Sequence, residues 1–303
     1  MQLNPAEGNP VNVADWVELE ALYSDDGSFS FEALRSQIDT DGTLFEEEAE
    51  RGQPDMLPHE RSEGVAASAL LEIDRRSVIA GRAYPFDKRG GLLQLRPHFR
   101  RCIPYIFCLL AADRDSYDRA DTRLPMLFEH LTREALAEYL GGNAVRFGTP
   151  RDTMPRGIND AITELSRLTG ATRVGVFPVN ATDNDLGLDV VAWKDFPDRY
   201  ISKVEVYMQC GTGEDWRCKK HDCDLAKWQA VLMCSNDRLK GLAIPYVVAD
   251  ERMWRREAWG VLFMDRLRIA SVLRDKKLPD DKYHWWRWCD ERITAAREPQ
   301  VKT

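Results

Sequence analysis

DLGLDVVAWKDFPDRYISKVEVYMQCGTGEDW, residues 185–216, is the stretch on which the fold turns. Leu188, Val190 and Ala192 alternate with Gly187, Asp189, Val191 and Trp193. After Phe196-Pro197-Asp198, Val204, Val206 and Met208 alternate with Glu205, Tyr207 and Gln209. A period of two, with β-branched and aromatic residues on both sides of a Pro-Asp turn, predicts a hairpin. With the turn centred near Arg199, Asp189 faces Gln209 and Trp193 faces Glu205. Directly opposed side chains lie about 5 Å apart, so Asp189 and Gln209 can share one small ligand while Glu205 lies too far along the strand. A one-residue slip would undo the pairing, because it moves a whole strand face.

The clearest helix precedes this hairpin. Pro125 to Leu140 puts Leu127, Phe128, Leu131, Ala135, Leu136 and Leu140 on one face, and Gly141-Gly142 stops it. Glu129 lies at the edge of that face. A first-turn Glu is also what the helix dipole favours by itself. Ile158 to Leu168 predicts a second amphipathic helix, whose Glu164 is a rival carboxylate.

G-x-D-V-V-A at 187–192, a turn, then a strand ending Q-C-x-T-G at 209–213 resembles the PD-(D/E)xK, or restriction-endonuclease-like, nuclease superfamily, and most closely its Mrr-like branch. The resemblance runs from about Leu127 to Asp224, with a weaker echo around Asp265. It implies that Asp189 and Gln209 hold Mg²⁺ (or Mn²⁺), that Glu129 completes the metal site, and that a lysine two residues after Gln209 assists the attacking water. That position is Gly211. Another lysine must therefore do the work, or this copy is weak or inactive. Lys220 is the first choice, because the chain turns back after Gly211-Thr212-Gly213, and Lys219 is its rival. Lys194 is next to the strand but points to the face opposite Asp189. The chemistry is coherent: phosphodiester hydrolysis needs a water made nucleophilic near neutral pH and a sink for developing charge, and a hard divalent cation on oxygen ligands supplies both.

Other signals are weaker. Arg146 and Arg151 in NAVRFGTPR, and Arg266 and Arg268 after Asp265, are candidate phosphate contacts that read equally well as solvated or salt-bridged arginines. Cys218-x-x-His221-x-Cys223, with Cys210 and Cys234 nearby, gathers zinc-ligand types, but without the paired C-x-x-C of a ribbon or finger. The tail KYHWWRWCDER reads as core or interface before it reads as a base-stacking surface.

Composition sets bounds. At 303 residues, 44% hydrophobic and 30% charged, the chain can bury a full core in one or two domains. Seven irregularly spaced cysteines suit free thiols in a reducing cytoplasm. There is no apolar run of about 18 residues and no signal-like start, so neither membrane insertion nor secretion is expected. A net charge of −8 argues against a free-standing tight DNA binder but not against a local basic groove or a protein partner.

The expected organisation is α/β. Residues 1–120 form a largely helical accessory or recognition region, with a lead-in to about residue 14, an exposed loop over 46–63, a helix over 65–82, a hairpin around Gly90-Gly91 and a buried helix over 103–112. Residues 121–303 form a restriction-endonuclease-like core, a mixed central sheet flanked by helices, closed by strands at 173–179 and 242–248 and by a strand–helix pair near Asp265. The expected activity is a metal-dependent endonuclease acting on DNA, in a role such as prokaryotic defence, with a protein partner or a homo-oligomer as context. The alternative is a non-catalytic subunit that keeps the nuclease fold to bind nucleic acid or a partner.

Overall fold

The computed structural model describes residues 9–40, 58–113, 121–180, 183–198, 200, 202–248 and 251–298. Two units divide the chain. One comprises residues 1–121, 246–251 and 266–303, the other residues 122–245 and 252–265. The C-terminal helices from residue 266 onward belong to the first unit.

The first unit opens on α1 (Pro10–Tyr23), capped by the Asn9 side chain, which accepts from the Val11 N–H at 3.0 Å. Pro at the first position is preorganised for a helix start, so residues 10–14 are helical and not lead-in. Strand β1 (Ser28–Ser30) and α2 (Phe31–Thr40) follow. Helix α3 (Pro58–Ala80) begins inside the stretch expected to be loop; the rest of that stretch, 46–57, lies outside the described residues. The predicted hairpin is β2 (Phe86–Arg89) and β3 (Leu92–Leu95), with Arg89 opposite Leu92. Its turn has Gly90 at φ 58° and Gly91 at φ 80°, the left-handed pair that matches strand twist and favours glycine. Strand β1 adds to β3. Helix α4 (Ile103–Ala112) is buried along almost its whole length, as its unbroken apolar run requires.

The second unit opens on α5 (Arg123–Leu140), closed by Gly141 in the left-handed conformation, φ 56°. Then come β4 (Asn143–Arg146), α6 (Ile158–Thr169), β5 (Thr172–Arg173), β6 (Val190–Trp193), β7 (Glu205–Cys210), α7 (Trp216–Lys219), α8 (Leu225–Val231), β8 (Leu232–Met233), β9 (Leu239–Ala243), α9 (Glu251–Ala258) and β10 (Leu262–Met264). Among the described residues the main sheet is ordered β10-β9-β7-β6-β4. Strands β4, β6 and β7 are antiparallel; β7, β9 and β10 are parallel, joined by helical crossovers as parallel neighbours require. The predicted register is the observed one: Trp193 opposes Glu205 and Val190 opposes Met208, which puts Asp189 against Gln209.

Strand β7 lies at the sheet's centre with Glu205 to Gln209 all buried, so its alternation separates two buried faces. On one face Val191, Trp193 and Tyr207 pack with Ile162, Leu165 and Trp228; the other face is covered by α5. The strand expected over 173–179 shrinks to β5, because Gly175 and Pro178 interrupt it and Val176 is exposed. The strand expected at 242–248 is β9, which ends before Pro245.

The chain then returns to the first unit with α10 (Arg266–Leu273) and α11 (Trp285–Arg297). Trp285 and Trp288 are core residues, Trp288 lying 4.9 Å from the Phe107 ring. Arg266 is fully buried and ion-paired to Asp15 at 2.6 Å, which removes it as a phosphate contact. The same cluster holds buried Arg76, 2.6 Å from Asp15, 3.0 Å from Glu18 and 2.8 Å from Glu72. Tyr84 and Tyr105 donate their hydroxyls to Glu18 at 2.7 and 2.8 Å.

Candidate active site

Asp189 sits just before β6, in the angle between two neighbouring strands. Its carbonyl accepts from the N–H groups of Phe147 and Gly148 at 2.7 and 3.0 Å, and its own N–H donates to the Met208 carbonyl. Its carboxylate accepts from the Cys210 N–H at 2.8 Å. Burial pushes the Asp189 carboxyl up to about 7, and the Asp185 charge adds to this, while the Cys210 N–H, Lys219 and Arg146 oppose it.

Glu129 reaches the same place from α5. Position 129 is on the buried side of the helix, and the residue is almost wholly covered. Its carboxylate accepts from Arg146 Nε at 2.6 Å. Burial and then repulsion by Asp189 raise the Glu129 carboxyl to about 8, with Arg146 only partly offsetting them. Gly148 makes the room: a Cβ there would lie 2.5 Å from Glu129 Oε2. Arg146, expected to touch phosphate, instead anchors Glu129, the Pro150 carbonyl at 2.6 Å and Asp152 at 3.3 Å. Its Nη2 is buried with no hydrogen-bond partner among the described residues. Asp152 also lies 2.8 Å from His130 Nε2, and burial holds that imidazole down to about 4.

Gln209 adjoins this pair without joining it. Its amide donates to the Gly187 carbonyl. By strand alternation it shares a face with Tyr207, whereas Cys210 lies on the other face, where its thiol senses Asp189 and Glu129. Gly187, at φ 70°, is constrained by its surroundings: a Cβ would stand 2.2 Å from the Asp222 carbonyl oxygen. That close approach packs the chain at Asp222-Cys223 against Gly187, two residues before Asp189.

The lysine assignment changes accordingly. Lys220 turns away to Glu257 at 3.5 Å. Lys219 is the one whose charge Asp189 senses; burial would lower its ammonium, but Asp222 at 3.3 Å and Asp189 hold it raised and charged. Gly211 could not carry a lysine, since a Cβ there would lie 2.7 Å from Trp216 Cβ.

The remaining expected residues lie elsewhere. Glu164 is partly exposed and paired with Arg167 at 2.6 Å. Glu205 is buried at the far end of β7 with Arg238 at 3.2 Å. Arg151 donates to the Arg156 carbonyl at 3.0 Å and to that of Asn184, its guanidinium 4.6 Å from the Phe147 ring centroid. Arg268 is exposed on α10, in the other unit. Asp185 is the acid the sequence reading missed. The signal was present in D-x-x-x-D, but the first Asp read as the end of a turn. No group of three or more His, Cys, Asp or Glu placed to hold a metal is found among the described residues, the zinc-like cysteines included.

The donor chemistry nevertheless fits a divalent cation. Two buried carboxyls that repel each other, and are held above their ordinary range, are a pair short of positive charge. A cation exchanging for their protons relieves that shortage. No helix among the described residues is long and apolar enough to cross a membrane. No protein-family model matches the chain, and no curated protein or solved structure shows significant similarity to it.

Proposed function

We propose that the second unit is a metal-dependent endonuclease of the restriction-endonuclease-like kind, acting on DNA. The observation that carries this reading is the meeting of Asp189 and Glu129, from a strand end and a preceding helix, with Lys219 charged beside them. The sheet supports it: three antiparallel strands followed by a parallel crossover place the Asp189 strand against the Gln209 strand at the centre.

In this reading Asp189 and Glu129 hold Mg²⁺ or Mn²⁺. When bound, the cation supplies a water of lowered pKa and neutralises charge on the phosphate. Asp189 and Glu129 give up their protons on loading. Arg146 fixes the Glu129 rotamer, Gly148 keeps its carboxylate unobstructed, and Gln209 braces Gly187, two residues before Asp189. The Lys219 ammonium stabilises charge developing on the attacked phosphate.

One observation favours a second reading, a nuclease-fold subunit that binds nucleic acid or a protein without cutting. The position for the usual lysine is not only glycine but sterically closed. Incubating the full chain with supercoiled and linear DNA in Mg²⁺ or Mn²⁺, beside Asp189→Ala and Glu129→Gln, separates the two. Cleavage lost in both variants is the expected result, and cleavage retained in Asp189→Ala rejects the site. No cleavage by the wild type, together with no rise in Tm on adding Mg²⁺ at pH 8, favours the binding subunit.

A further inference from the structure

The second unit carries a basic groove distinct from the carboxylate pair. Its cavity of about 630 Å³ is lined by Lys220, His221, Lys240, Arg255, Arg256 and Trp259. Four of these side chains are permanently cationic, in a chain whose net charge is −8. The acid that organises them is Glu257, which is buried and meets Arg256 at 2.9 Å, Lys220 at 3.5 Å and Arg217 at 3.5 Å. One carboxylate therefore fixes Lys220 and Arg256 of the groove, and Arg217 next to them, with a single negative charge. Such a concentration of one sign focuses field and attracts anions even when the whole molecule is acidic.

At the end of α9 stands Trp259, 85% exposed. An indole left this bare beside arginines offers a flat face to a planar partner, and every nucleobase has such a face. Bases in a duplex are stacked on their neighbours and cannot present it; unpaired bases can.

We propose that this groove binds a single-stranded or locally unpaired nucleic-acid segment, with phosphates on Lys240, Arg255 and Arg256 and a base stacked on Trp259. The use made of the bound strand rests on the nuclease reading, whereas its binding rests on the groove alone. The groove and the candidate active site are linked through consecutive residues: Lys220 lines the groove, and Lys219 is the cation that Asp189 senses.

The test uses the full chain carrying Asp189→Ala, in EDTA, with a fluorescein-labelled twelve-nucleotide oligo-dT followed by anisotropy. Binding should weaken with salt. Adding Trp259→Ala should weaken it about tenfold, with Trp259→Phe close to the parent. Lys240→Gln should lower the salt slope by about 0.7. Trp259 is exposed, so its replacement leaves the core untouched. No binding, unchanged binding in Trp259→Ala, or displacement by blunt duplex or polyglutamate as effective as by unlabelled single strand, each overturns the proposal. Because neither metal nor cleavage enters the measurement, its failure leaves the nuclease reading standing. Loss of cleavage in Asp189→Ala, with binding intact, bears on the carboxylates alone.

Discussion

Each unit buries a cluster of charges, and the two clusters differ in how many cations face their carboxylates. In the first, Arg76 and Arg266 face Asp15, Glu18 and Glu72, and two tyrosine hydroxyls complete Glu18. Burial alone would raise Asp15, but the two guanidiniums outweigh it and hold the carboxyl low, while burial and the Asp15 charge hold Glu18 above its ordinary value. In the second, Glu129 and Asp189 share Arg146, Lys219 acts on Asp189, and both carboxyls are driven up. A compensated cluster serves the fold, since every charge in it has a fixed partner. An undercompensated one is held in place by the surrounding structure.

The largest expected effect comes from breaking the compensated cluster. Arg76→Ala leaves buried Glu18 without its close cation, while Asp15 keeps Arg266 and Glu72 keeps Arg75, and should cost about 3–5 kcal/mol of stability, read by urea unfolding. A cost near zero would show that water reaches the cluster and would erase the contrast.

The second cluster should behave in the opposite sense. Asp189 and Glu129 bind protons more tightly folded than unfolded, so the unfolded chain ionises first as pH rises. Stability should fall between the ordinary values of 3.8 and 4.5 and the folded values of about 7 and 8, and be level below that window. The slope is on the order of 1.4 kcal/mol per pH unit for each group titrating. Asp189→Asn should therefore be more stable than wild type at pH 8 and little different at pH 4, as unfolding at the two pH values would show. Mg²⁺ should restore the wild type at pH 8 and not the variant. A pH-independent difference would mean that Asp189 is already compensated.

Smaller effects sharpen the assignment of roles. Lys219→Met should lower kcat for cleavage about a hundredfold, whereas Lys220→Met should act on KM, through the groove. The reverse split would return the catalytic role to Lys220. Glu164→Ala should leave cleavage at the wild-type rate, since that side chain is engaged only with Arg167 at the surface; a loss would relocate the helix carboxylate.

Much of the site was legible because strand pairing converts sequence spacing into position. The Pro-Asp turn and the period of two placed Asp189 against Gln209, and the apolar stripe of α5 placed Glu129 on its buried side. The reading erred where a side chain's partner is remote in sequence. Lys219 and Lys220 are adjacent and chemically alike, and only the backbone of a short helix decides that one senses Asp189 and the other meets Glu257, 37 residues on. Arg266 follows an acid at a helix start and reads as a surface cation, yet its partner is Asp15, 251 residues earlier.

The sequence by itself determined the main helices of the second unit and the hairpin register. Those depend on local periodicity, turn chemistry and caps, which act within a few residues. Tertiary structure alone decided which charges are compensated. That depends on burial and on partners delivered from distant segments, and electrostatic energy in a low-dielectric interior is set by distances that no local pattern encodes.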